Sequence, residues 1–268
     1  MNGRLNKFLL VWLVAAFAGT PAHAQIFADS FNYPDGPITS VSGGIWTTYS
    51  GAAGELTVAN GRAQVTEAKS EDVRVQLPGG PYSSGNLYAS FVVNFSALPS
   101  GAGNSFVSFL SSAIEFRARV YATTVGAGGG AFRLGIANQA ALASAAAFVP
   151  TDLALNTDYR VVIRYSGVGS QSAGSTLWID PSAEADVGNR TDAGDAFIIP
   201  SSPMASFALR ESLFSGNGMG TLALDDLKIG TDFASVVPEP PSTILMVLLV
   251  LGWRFLDRPH RTARRNSL

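Results

Sequence analysis

Leu87-Tyr88-Ala89-Ser90-Phe91-Val92-Val93-Asn94-Phe95 is the stretch that decides the fold. Leu87, Ala89, Phe91, Val93 and Phe95 recur at every second position, the period of a strand buried on one face rather than of a helix. Its β-branched and aromatic residues suit a pleated, half-buried surface. The same alternation recurs further along the chain. Ile114-Glu115-Phe116-Arg117-Ala118-Arg119-Val120 sets apolar residues on one face and charges on the other, as do residues 131–136 and 159–165. Further strands are expected at 55–59, 61–66, 72–77, 105–110, 175–180, 205–210 and 221–229. Turn residues separate them: Asn60-Gly61, Pro78-Gly79-Gly80, Gly101-Ala102-Gly103 and the glycine-rich run 126–130. Asn60-Gly61 between two strand-like runs predicts a tight hairpin. Many short strands with this alternation predict an all-β, antiparallel two-sheet β-sandwich. The alanine-rich stretch 137–148 resists the pattern and reads as either a helix or a covering loop.

Composition narrows the chemistry. The chain has 268 residues, 47% hydrophobic and 14% charged, with no Cys and two His. Both His23 and His260 lie in terminal segments, so the body between them has neither residue type. Ser-His and Cys-His nucleophile pairs, thiol redox chemistry and His- or Cys-based zinc sites are thereby excluded there. The formal net charge is -2. Residues 25–237 carry 11 Lys and Arg against 18 Asp and Glu, which leaves this part acidic and argues against binding nucleic acid through phosphates.

The ends read as targeting segments. Arg4 and Lys7 precede a short apolar run, 8–18, which is followed by Ala22-His23-Ala24. A positive start, an apolar middle too short to span a bilayer and an A-x-A end predict a signal peptide, residues 1–24. Signal peptidase is then the first partner, cutting after Ala24 so that the mature chain begins at Gln25. At the other end, Pro238-Glu239-Pro240 precedes an apolar segment, about 242–256, expected to be a short transmembrane helix. Arg254, Arg258, Arg261, Arg264 and Arg265 follow and should stay on the cytoplasmic side. The body, 25–237, then lies outside.

The order of Pro-Glu-Pro, short apolar helix and arginine cluster resembles the PEP-CTERM sorting signal of exopolysaccharide-producing Gram-negative bacteria. The resemblance covers 238–268. It implies that an exosortase-like membrane peptidase recognises Pro238, Glu239 and Pro240, and that the protein reaches the cell surface or extracellular matrix. The tail departs from that pattern in its Ile, Leu, Met and Val in place of glycine, and in its extended arginine spacing.

A second resemblance rests on four landmarks. They are Asp29-Ser30-Phe31-Asn32-Tyr33-Pro34-Asp35-Gly36, then Gly43-Gly44-Ile45-Trp46, then Thr176-Leu177-Trp178-Ile179-Asp180-Pro181, then Leu224-Asp225-Asp226-Leu227-Lys228-Ile229-Gly230. Their order is similar to that of concanavalin A-like, laminin G-like jelly rolls. This implies two antiparallel sheets with the first and last strands adjacent. Members of that superfamily include lectins, glycanases and adhesion modules, so the fold alone does not set function.

The carboxylate-bearing strand E-x-D-x-x-E of the glycanase members is missing, and the chain is not read as an enzyme. Its expected role is structural or adhesive, associated with envelope or extracellular polysaccharide. The alternatives are a lectin-like carbohydrate-binding module and a glycan-active enzyme. Trp46 and Trp178 are the candidate sugar-contact residues, with Tyr88, Tyr121 and Tyr165 behind them. Arg117, Arg119, Arg133, Arg160 and Arg164 form a candidate basic patch. No cofactor is expected. Calcium is the alternative, through Asp225 and Asp226 or a looser acidic loop of Asp186, Asp192 and Asp195. Against it, Leu222 and Leu224 differ in parity from Leu227 and Ile229, so Asp225-Asp226 also reads as a β-bulge.

Overall fold

The computed structural model describes residues 25–196 and 202–237. Nineteen strands follow in chain order. The first seven are β1 Gln25–Asp29, β2 Gly36–Pro37, β3 Trp46–Ser50, β4 Thr57–Ala59, β5 Arg62–Thr66, β6 Asp72–Gln76 and β7 Asn86–Ala97. Then come β8 Asn104–Ser111, β9 Phe116–Thr123, β10 Ala131–Ala137, β11 Ala147–Phe148, β12 Leu153–Ala154 and β13 Asp158–Ser166. The last six are β14 Gly174–Ile179, β15 Arg190–Asp192, β16 Met204–Arg210, β17 Leu213–Phe214, β18 Asn217–Gly218 and β19 Thr221–Gly230. Two single-turn helices, α1 Ile38–Val41 and α2 Phe233–Val236, complete the description.

All pairing is antiparallel and forms two large sheets and a separate two-stranded β17–β18 hairpin. The back sheet runs β15-β14-β13-β7-β19-β5-β4-β2, and β1 pairs with the second half of β19. The front sheet runs β11-β10-β9-β8-β16-β6-β3, and β12 pairs with β10. First and last strands are therefore adjacent, as the jelly-roll resemblance implies. Asn60 and Gly61, at φ 52° and 69°, close the two-residue hairpin between β4 and β5. Both central residues of such a turn need positive φ, which Asn and Gly tolerate.

The two inner faces meet in one aromatic core. On β7, Leu87, Ala89, Phe91, Val93 and Phe95 are fully buried, as their alternation predicts. Phe95 packs 4.3 Å from Phe132 and 5.7 Å from Phe106, centroid to centroid. Phe207 joins the sheets beside it, 6.2 Å from Phe91 and 5.4 Å from Phe109.

Two sequence features resolve into structure. The register of β19 slips between Asp225 and Lys228, with Asp226 at φ 54°. This bulge returns Leu227 and Ile229 to the core face already held by Leu222 and Leu224. The segment 137–148 is a covering loop with one 3-10 turn at Ala143–Ala145 and a short strand, not a helix. The signal peptide 1–24 (including Ala22 and Ala24) and the tail 238–268 lie outside the described residues. Among the described residues no helix is long and apolar enough to cross a membrane.

Candidate functional site

A bulge in β9 builds the floor of a cleft on the front sheet. Ala118 sits at φ 49°, and the β8–β9 register shifts beside it. The extra residue breaks the alternation, so Phe116 and Arg119, three apart, meet on the outer face of the front sheet. The Arg119 guanidinium lies 4.8 Å from the Phe116 ring centroid. Arg210 at the end of β16 approaches the same ring at 5.3 Å. Cation–π contact holds the two cations beside one aromatic floor.

Two walls rise from this floor and enclose a cavity of about 380 Å³. One wall is 141–144, in the covering loop. It is pinned at its start because the Asp195 carboxylate accepts backbone N–H groups of Asn138, Gln139 and Ala140 at 2.6, 2.9 and 2.9 Å. The other is the β17–β18 hairpin, tied down by Asn217, whose side chain accepts the Ala102 N–H at 2.7 Å. Close approach here needs Gly101, where an added Cβ would meet Asn217 and the Gly216 carbonyl at 2.5 Å. The rim carries Leu142, 57% exposed, and Phe214, 64% exposed. Apolar side chains this open beside a cavity mark a contact surface better than scattered surface residues do.

The polar floor continues toward β6 and β3. Arg210 donates to Asp72 at 3.2 Å, while Arg74 lies over Tyr49, 5.8 Å from the ring centroid. Burial pushes Asp72 up to about 6 despite Arg210, and it pushes Glu211, next along the chain, up to about 7. A carboxyl raised in the folded state favours its protonated form. Its stabilising contribution is complete below the ordinary value of 4.5 and is lost as pH rises through about 7. Glu211→Gln should therefore flatten the fall in melting temperature between about pH 5 and about pH 8. Equal slopes in variant and parent would contradict this reading.

Most sequence candidates lie elsewhere, with structural roles. Trp46 is fully buried, stacked at 5.8 Å on Phe31, and donates its indole N–H to Asp29 at 2.8 Å. Trp178 does face out from the back sheet, as its parity indicates, but it is only 1% exposed. Phe233 of α2 covers it edge-on at 5.9 Å, and Arg164 and Arg190 flank its ring. Tyr88 joins the same small cluster, while Tyr121 and Tyr165 are fully buried. None of these five presents an open ring face to a sugar, which corrects the expected role of Trp46 and Trp178.

The expected basic patch also divides. Arg160 and Arg164 project from the back sheet, and Arg133 is paired with Asp152 at 2.6 Å. Arg117 is 3% exposed and reaches Glu115 at 3.5 Å, so Arg119 alone of the five enters the cleft. Asp225 lies 3.5 Å from Arg62, and Asp226 lies 3.9 Å from Arg160. Asp186 accepts from Ser182, and Asp192 bonds Arg190. Among the described residues no group of three or more metal-ligating side chains comes together. The Asp225-Asp226 set does not fit a calcium site, which needs six to eight oxygen ligands.

Sequence reasoning missed Phe116, Arg210, Leu142 and Phe214. Arg210 ends a strand that alternation did identify. Leu142 and Phe214 carry no local signal, because only the fold sets them opposite each other.

No protein-family model and no curated protein matches the chain. Among solved structures it is similar to the alginate lyase Aly36B in complex with alginate tetrasaccharide, at 11% identity and TM-score 0.48, covering 79% of this chain and 98% of that one. Domain 4 of AbnA, an extracellular arabinanase from Geobacillus stearothermophilus in complex with arabinotriose, gives 16%, 0.44, 78% and 93% in the same order. The VIP36 exoplasmic/lumenal domain in its Ca²⁺/Man-bound form gives 11%, 0.43, 76% and 91%. At such scores the likeness says nothing of ligand or activity in this chain.

Proposed function

We propose that the chain is an exported β-sandwich protein that associates with the envelope or extracellular matrix by holding polysaccharide in the cleft above Phe116. The observation that carries this reading is the cleft itself, with an aromatic floor, flanking guanidiniums and the exposed rim residues Leu142 and Phe214. An aromatic ring and apolar rim suit the apolar faces of pyranose rings. Arginine N–H groups placed around them supply the few oriented donors that a sugar's hydroxyls require.

The terminal segments belong to the same proposal. Signal peptidase cuts after Ala24, and an exosortase-type peptidase acts at Pro238-Glu239-Pro240 while the helix 242–256 and its arginines hold the tail. The prolines keep that stretch extended and deny it helical hydrogen bonds. Supporting this arrangement, Phe233, Val236 and Val237 pack with Tyr88 and Trp178 on the back sheet. A tail that begins there leaves the front-sheet cleft open.

A second reading is a glycan-active enzyme, favoured by Asp72 and Glu211, two carboxyls held toward neutral pH beside the cleft. One experiment addresses both. Protein purified from its native host is weighed and run through gels containing that host's extracellular polysaccharide. The expected protein begins at Gln25, lacks the arginine-rich tail and is retarded in the gel without lowering the polymer's viscosity. A full-length mass would overturn the sorting proposal, unretarded migration the binding proposal, and falling viscosity would favour the enzyme.

A further inference from the structure

The charge of the cleft face differs from that of the protein around it. Residues 25–237 are acidic overall, and on the back sheet Arg62, Arg160, Arg164 and Arg190 each have a carboxylate within 4 Å. On the front face Arg74 and Arg119 have no carboxylate partner among the described residues, and Asp72 is already engaged by Arg210. Arg119 is 5% exposed and makes one side-chain hydrogen bond, to Ser105 at 2.9 Å. Its Nε, the Nε of Arg74 and the Tyr49 hydroxyl are buried without a partner. Burial also depresses the Arg119 guanidinium below its ordinary value. Asp72, paired with Arg210, acts on Arg119 only at longer range. A buried cation with no counter-charge in contact is costly to fold, and an anion that entered would be favoured there.

Resting on the glycan reading of this cleft, we infer that its ligand is an acidic polysaccharide of the uronate class. A ring carboxylate docks against Arg119 and Arg210, and the sugar faces lie on Phe116 between Leu142 and Phe214. A planar carboxylate matches the planar donor fork of arginine, so the pairing supplies orientation as well as charge. A neutral glycan would leave Arg119 with only the longer-range field of Asp72. Glu55, Glu67 and Glu211, which line the adjoining pocket with Asp72, repel the same polymer and bound its site on that side.

The test uses the full chain in detergent, with polygalacturonate, polymannuronate and hyaluronan, each beside its carboxyl-reduced form. At least one uronate polymer should bind ten-fold or more tighter than its reduced counterpart, with affinity falling as salt rises. Arg119→Met should lose at least ten-fold toward the acidic form only. Because Arg119 is buried and its variant is at risk of misfolding, Leu142→Asp provides the second probe. It places a negative charge at an exposed rim position, and should weaken the acidic polymer several-fold while sparing the reduced one. Equal binding of acidic and reduced forms would overturn the charge selectivity and leave glycan binding standing. Binding to neither form of all three would overturn the glycan reading of the cleft, and this inference with it.

Discussion

Replacing Phe95 with Ala is expected to cost about 4 kcal/mol, the largest single loss anticipated in this protein. Phe95 comes from the back sheet, yet both of its ring partners, Phe106 and Phe132, come from the front sheet. Removing it deletes apolar burial and leaves a void across the inter-sheet contact. Close packing on both sides prevents the site from collapsing to fill that space. Domains of this kind are stable by about 5–15 kcal/mol, so the variant should approach the edge of folding. Urea denaturation measures it. A loss below about 1 kcal/mol would mean that the sheets are not held together through this ring.

Asp29→Ala should follow closely, at about 3 kcal/mol. Asp29 is 9% exposed and accepts three hydrogen bonds: from Phe31 N–H at 2.7 Å, the Tyr33 hydroxyl at 2.8 Å and the Trp46 indole at 2.8 Å. Removing the acceptor strands three donors, two of them in buried surroundings, and each carries a desolvation penalty. Asp29→Asn keeps one side-chain oxygen and should recover part of the loss. Melting temperature reads the effect, and Trp46 fluorescence should change with it. An alanine variant as stable as its parent would remove this network from the account.

The same network explains why the landmarks were readable while their meaning was not. The Asp29–Gly36 and Gly43–Trp46 stretches stand out in the sequence, but they are structural partners: Asp29 fixes Trp46 in the core. Strands whose inward residues alternate without interruption, above all β7 and β13, were legible because one face is buried along their length. β3 was not, since Thr47, Thr48 and Tyr49 give no apolar alternation. β1 was also missed and is positioned by β19, at the far end of the described chain.

The cleft was less legible because a bulge and distant loops create it. Unbroken alternation from Ile114 to Val120 places Phe116 inward and Arg117 beside Arg119. The left-handed backbone at Ala118 breaks that parity, so Phe116 joins Arg119 and Arg117 turns to Glu115. Trp178 shows the converse. Its parity was right, but Phe233, Val236 and Val237 pack with it, and nothing near position 178 announces them.

The central claim is that the outer face of the front sheet holds the glycan. The most direct measurement is an NMR titration of the protein with a bound uronate oligosaccharide, following Arg119 and Arg210 guanidinium resonances and the indole N–H signals of Trp46 and Trp178. The account predicts shifts at the two arginines and at Phe116, Leu142 and Phe214, with both indoles unmoved. Shifts confined to Trp178 and the back sheet would contradict it.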